Sequence, residues 1–321
     1  MICLALIDWR RVAIVAIPVL VALAALPAVL GTFLVHVMTL AFYYTMLAVS
    51  WNLLAGMTGQ FSLAQQTFAA IGAYTSGLLI VWLDFPLWLA MLCGIAAAAA
   101  LGFVLGRLVL RMRAIYLAIA TWAFAETIHV LLTAAYQITR GEQGLSVPSL
   151  YGRLEPALYY YTLLPVTAAV VIGVYVLMRS PIGYFMRAIK DDELRAETLG
   201  VNTTRVKVLV FTLTSAISGL AGVLYAHYMV TLSPQMTDFS EMAKLVIMVV
   251  VGGLGTFVGP LIGAPLVYVV LTYLEKYGEW DMVLFALIVI ALMRSYMGGL
   301  AALATEAYQK LRARTPVERS G

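Results

Sequence analysis

Apolar residues run through this chain in blocks separated by short polar breaks: 12–31, 33–55, 60–82, 86–106, 114–138, 158–178, 208–231, 245–254, 260–274 and 282–296. Most blocks reach the roughly 20 residues that a helix needs to cross the hydrocarbon core of a bilayer. The breaks are Gly/Pro turns or charged patches, which punctuate helices. Within 245–274, Gly252-Gly253-Leu254-Gly255 and then Gly259-Pro260 split the run into two short segments. The pattern predicts an all-α, polytopic integral membrane protein with about ten transmembrane helices. It forms one membrane domain over residues 1–321.

Composition removes the main alternative. The chain is 63% apolar and 11% charged, with mean hydropathy +0.95. A soluble domain carries about 25% charged residues, so this one cannot cover a water-facing surface. About 120 residues remain outside ten spans, too few for a soluble catalytic domain.

The net charge of +4 suggests nucleic acid until the charges are located. With the N-terminus inside, sixteen of the 20 basic residues fall in inner segments, leaving Arg140, Arg153, Lys244 and Lys276 outside. Acids show no such bias. That asymmetry in Lys and Arg sets orientation and gives nucleic acid no role. It places both termini, the segment 179–207 and the tail 297–321 in the cytoplasm.

The N-terminal stretch from Asp8 to Ala28 has the outline of a secretory leader. Its apolar run is longer than a leader core of about 7–15 residues, so a retained first helix is expected. The two cysteines, Cys3 and Cys93, suit neither a disulfide framework nor a metal site.

Three groups of residues are candidates for function. The polar segment 179–207, RSPIGYFMRAIKDDELRAETLGVNTTRVK, opens with the helix-start pair Ser180-Pro181. Ile182, Phe185, Met186 and Ile189 then form one apolar stripe, the phase breaks over Lys190–Glu193, and Gly200 supplies a stop. One amphipathic helix, or two joined by a kink, is expected. It either rests on lipid headgroups or docks a cytosolic partner through Asp191, Asp192, Glu193, Arg195 and Glu197.

The second group is Gly56–Thr67, where Gln60, Ser62, Gln65 and Gln66 open a span. Such side chains are costly in hydrocarbon unless they face protein or water, so they either line a pathway or serve helix packing. Gly72-Ala73 and Ser76-Gly77 supply small faces for close helix approach. The third group is ionisable. Glu126 lies about 20 Å of helix beyond Arg113, with His129 on the same face. They form a structural pair, line a polar path, or relay protons. His36 and His227 sit near span ends and read as interfacial.

Enzyme signatures are missing from the sequence: no G-x-x-x-x-G-K-[ST], no H-E-x-x-H and no G-x-S-x-G. The chain therefore has no phosphate loop of its own for ATP.

Four blocks, in order, resemble a known family: SWNLLAGMTGQFSLAQQTFAAIGAYTSGLL (50–79), RMRAIYLAIATWAFAETI (111–128), RSPIGYFMRAIKDDELRAETLGVNTTRVKVLVFTLTSAISGLAGVLYAHY (179–228) and VVVGGLGTFVGPLIGA (249–264). The chain is similar to the branched-chain amino acid ABC transporter permease family, in its LivM-type branch. The resemblance implies an importer in the bacterial cytoplasmic (inner) membrane. Two permease subunits form the pore, two cytosolic ATPases bind ATP and Mg, and an extracytoplasmic binding protein delivers the solute.

On that resemblance the coupling element comprises Arg187, Lys190, Asp191, Asp192, Glu193, Leu194, Glu197 and Gly200. Gln60, Ser62, Gln65, Gln66, Thr121 and Glu126 are the candidates for the solute pathway. This sequence departs from the family at Ala64-Gln65, where Gly-His is usual, at His129, often Arg, and in the ending Arg294–Leu300. Related permeases are assigned to urea, short amides and aromatic acids, so the resemblance fixes mechanism more tightly than solute. A proton-coupled secondary transporter is the rival from another class.

Overall fold

The structure, a computed structural model, describes residues 9–274 apart from Arg111, Arg113 and Leu154, with isolated positions 283, 287, 290 and 300. Cys3 and nearly all of the block 282–296 and of the tail 297–321 lie outside the described residues.

Helix α1 covers Trp9–Val29 and α2 covers Thr32–Trp51, continuing without a break into a π-helical turn, Asn52–Met57. Next come α3 (Gln65–Leu83), α4 (Leu87–Val109), α5 (Ala114–Ala134) and the one-turn α6 (Tyr136–Thr139). After α7 (Pro156–Arg179) lie two short helices, α8 (Pro181–Asp191) and α9 (Glu193–Thr198). The long α10 (Thr203–Met229) is followed by α11 (Phe239–Gly253) and α12 (Val258–Leu274). Six described helices are long and apolar enough to cross a membrane: Thr32–Met57, Gln65–Leu83, Leu87–Val109, Ile115–Ala134, Pro156–Arg179 and Thr203–Met229. The expected split of 245–274 is present, because α11 stops at Gly253 and α12 starts at Val258.

Two boundaries differ from the hydropathy pattern, each for a local reason. The block 60–82 begins as helix only at Gln65. Before it, Gly59 takes φ +73° and Gln60 N–H bonds back to the Leu54 carbonyl, which turns the chain out of the π-helical segment. Helix α10 starts before the apolar block 208–231, since Asn202 caps it by accepting from Arg205 N–H at 3.0 Å.

At about 1.5 Å per residue, the 27 residues of α10 separate the two ends of the bundle by about 40 Å. One end carries α8, α9, the turn at 56–60 and the turn between α11 and α12. The other carries a two-residue strand pair, Leu145–Ser146 against Thr231–Leu232, antiparallel with Leu145 opposite Leu232.

Helices α3, α4 and α10 meet through small residues. A Cβ on Gly72 would lie 2.6 Å from the Gly219 carbonyl oxygen, and one on Gly94 would lie 2.5 Å from that of Gly72. Backbones this close gain dispersion along the whole crossing, the usual means of joining helices in lipid. Trp51, Met46 and Met248 are wholly buried in one apolar cluster with Tyr160; Phe68, Phe211 and Met186 fill a second. Helix α5 stands at the edge, 17% buried against 67% for α2 with its π-turn.

Candidate functional site

The head of α3 is where polar side chains enter the interior. Gln65 is fully buried, and its Nε2 donates to Ser218 Oγ (2.8 Å), Ser50 Oγ (3.0 Å) and the Thr214 carbonyl (3.0 Å), joining α3 to α2 and α10. Gln66 accepts from the Tyr43 hydroxyl at 2.9 Å. Ser62 is buried, with its carbonyl taking the Trp51 indole N–H at 2.8 Å. Thr121 on α5 accepts from Leu63 N–H at 3.0 Å, which fixes the segment before α3 to the peripheral helix. Gln60 is also buried, yet neither of its amide atoms has a partner among the described residues. Four of the six pathway candidates therefore hold the fold of the 58–66 turn, a role consistent with either sequence reading.

Glu126 and His129 do different things. His129 Nδ1 lies 2.9 Å from Thr237 Oγ1 and 3.3 Å from an Asp238 carboxylate oxygen, anchoring α5 to the turn before α11. Glu126, one turn earlier, is exposed in a groove of about 520 Å³ beside Ile119, Trp122 and Thr127. No hydrogen bond joins the two among the described residues. His36 contacts the Tyr228 hydroxyl and His227 the Pro148 carbonyl, both near the strand end.

A polar cavity of about 220 Å³ opens above the head of α3, toward the strand end, between α2, α3, α10 and α11. Tyr43, Tyr44, Tyr225, Gln66 and Glu241 line it. Glu241 accepts from the Tyr44 hydroxyl at 2.9 Å and pairs with Lys244 at 2.7 Å. Sequence reasoning missed this site. Tyr43 and Tyr44 sit inside the apolar block 33–55 and Tyr225 inside 208–231, and only the fold brings Glu241, nearly 200 positions from the first two, to their side.

The segment 179–207 folds as two helices with a kink at Asp192, whose side chain caps α9 by accepting from Arg195 N–H at 3.1 Å. Ser180 precedes Pro181 at the start of α8, and Gly200 takes φ +86° after α9. The stripe is buried at Met186 and Ile189, and Met186 packs among Leu53, Leu54, Val208 and Phe211. Phe185 of the same stripe stays 40% exposed, so only part of the apolar side of α8 rests on the protein itself.

The polar residues of this segment bind it to two helices, α7 and α10, and to two turns between helices. Arg187 donates to the Met178 carbonyl at the end of α7 (2.9 Å) and to the Gly183 carbonyl (3.2 Å). Lys190 lies against Gly59 and beside Gly255, reaching both turns at this end. Glu193 pairs with Lys207, and Glu197 accepts from Thr203 at 2.6 Å, both on α10. Leu194 and Leu199 remain exposed, at 72% and 83%. Asp191 is exposed beside them.

Asn52, also missed, closes this end. Its Oδ1 accepts from Gly255 N–H and its Nδ2 donates to the Thr256 carbonyl, each at 2.8 Å. A polar residue within the apolar block 33–55 was the available signal.

A family model described as branched-chain amino acid transport system / permease component matches residues 33–293. The chain belongs to that permease family. The match covers the α3 head, the four-way contacts of α8–α9 and the cavity at Glu241. The permease is 31% identical to the high-affinity branched-chain amino acid transport system permease protein LivM of Salmonella typhimurium over 307 residues, covering 85% of this chain and 71% of the relative. It is 25% identical to LivH of the same organism, covering 79% and 90%. The fructose import permease protein FrcC of Rhizobium meliloti is 28% identical, covering 64% and 61%. No solved structure gives a significant match.

Proposed function

We propose that the permease is one membrane-spanning subunit of an ATP-driven importer of amino acids, branched-chain ones first. It works beside a second permease subunit and two ATPases, with solute supplied by an extracytoplasmic binding protein. The observation that carries this is the family match over residues 33–293, with LivM and LivH, both named for branched-chain amino acid transport, among the relatives.

Ten spans with both termini inside fit the separate α11 and α12 and the bias of Lys and Arg. This orientation puts α8 and α9 in the cytoplasm and the strand pair outside. The contacts of α8–α9 support a lever. Arg187 holds α7, Lys190 touches the α2–α3 and α11–α12 turns, and Glu193 holds α10. A displacement of this segment by an ATPase shifts all of these elements together, because packed interiors transmit strain rather than absorb it. Alternate opening to the two sides follows from tilting the spans about their small-residue crossings.

The test is reconstitution. The permease, its second subunit and the ATPases are placed in vesicles, and leucine uptake is followed with binding protein and ATP. Uptake that needs both is expected. Uptake independent of ATP, or driven by a proton gradient alone, overturns the reading.

A further inference from the structure

The cavity at Glu241 has a chemistry that the α3 head lacks. Its walls combine a carboxylate with three tyrosines packed ring against ring: Tyr43 and Tyr225 lie with ring centroids 4.7 Å apart, and Tyr43 and Tyr44 5.0 Å apart. The carboxylate attracts a cation, and a primary ammonium brings N–H donors for it and for neutral oxygens nearby. Ser233 on the far wall and the Gln66 amide add neutral hydrogen-bonding groups.

Lys244, one turn along α11, already neutralises Glu241. An incoming ammonium can exchange with it without ever leaving a bare carboxylate. The released lysine is then free to meet a carboxylate carried by the same ligand. From this arrangement we infer that the cavity is a transit site for the α-ammonium group of a zwitterionic amino acid, with Glu241, set among Tyr43, Tyr44 and Tyr225, as the recognising group. This rests on the importer reading and adds where the solute pauses within this subunit.

The experiment is saturation-transfer NMR on the assembled complex in nanodiscs, without binding protein, using leucine, leucinamide and 4-methylpentanoate as probes. Leucine and leucinamide should receive saturation, and 4-methylpentanoate, which lacks the ammonium, at least about fivefold less. Glu241→Gln should lower the leucine signal by a similar factor. Equal transfer to 4-methylpentanoate, or an unchanged leucine signal in Glu241→Gln, overturns the assignment. If Glu241→Gln does not assemble, Lys244→Met decides. Freeing Glu241 of its counter-ion should strengthen leucinamide transfer, and an equal or weaker signal overturns the site. Vesicle uptake separates the two claims. ATP-driven uptake without ammonium-selective transfer removes the site alone. Selective transfer without uptake keeps the site and removes the importer.

Discussion

Lys207, near the start of α10, is buried to 7% exposure and gives its ammonium to Glu193, the first residue of α9. A buried ammonium without a counter-charge is costly, so this pair keeps the exposed α9 fastened to a central span. Thr203 and Glu197 repeat the attachment one turn away.

The first prediction comes from that pair. Glu193 is half exposed, so water weakens the interaction, and Glu193→Gln should cost about 1–2 kcal/mol rather than the full value of a buried pair. Lys207→Met in the same chain should recover part of the loss, because no unpaired charge remains. A double-mutant cycle on thermal unfolding, read beside uptake rate, checks this. Strictly additive losses would show that the two side chains are not coupled. If the pair also transmits motion, the double variant should be stable yet transport slowly.

Asn52 supports a second prediction. It serves two backbone groups of the turn between α11 and α12, Gly255 N–H and the Thr256 carbonyl. Asn52→Leu leaves both unsatisfied at a protein contact and should cost about 2–4 kcal/mol. Gly255→Leu should be as damaging for a different reason. Its φ of +79° is left-handed, and a Cβ there would press on the Gly56 carbonyl at 3.1 Å and on Lys190 Nζ at 3.2 Å. Both variants should lose assembly in fluorescence-detected size exclusion, and a normal monodisperse complex from either would refute the close-packed turn. Gly173→Leu is the control, since open space surrounds Gly173.

These cases mark what the sequence could and could not express. Apolar blocks located the helices because hydropathy and span length are local properties. Ser180-Pro181, the phase break at Lys190–Glu193 and Gly200 foretold α8, the kink and the end of α9 for the same reason. Partners across the bundle have no local signature. Glu193 and Lys207 are 14 residues apart and looked like independent surface charges until α10 began early enough to bury one of them. Glu241 meets Tyr44 across a separation of 197 residues. The pathway candidates were legible as polar residues in an apolar setting, but not their roles: Gln65 ties three helices together, whereas Gln60 keeps both amide atoms unpartnered among the described residues.

A third prediction concerns Glu126. It is exposed on α5, while His129 contacts Thr237 and Asp238, and no hydrogen bond joins the two among the described residues. Glu126→Gln removes a charge whose insertion costs about 2.5–3.5 kcal/mol on translocon scales. The variant should therefore insert at least as well and retain most ATP-driven uptake. Near-total loss of uptake, with uptake in the parent chain following a proton gradient, would restore the proton-coupled rival.

The last prediction separates the two sides of the cytoplasmic segment. Leu194 on α9 and Leu199 just after it are large, apolar and exposed, an arrangement that soluble surfaces avoid in clusters and that partner contacts use. Met186 and Ile189 on α8 are buried against the spans. An aspartate therefore has opposite consequences at the two places. Leu194→Asp buries no charge within this chain, so its thermal midpoint should stay near that of the parent while ATPase subunits fail to copurify. Met186→Asp forces a carboxylate among Leu53, Leu54 and Phe211 and should unfold the segment or prevent insertion, since an unpaired buried charge has no compensation. Copurification and thermal unfolding measured on both variants distinguish docking from folding. If Leu194→Asp keeps its ATPases and its uptake, the exposed face of α9 is not where force enters the permease.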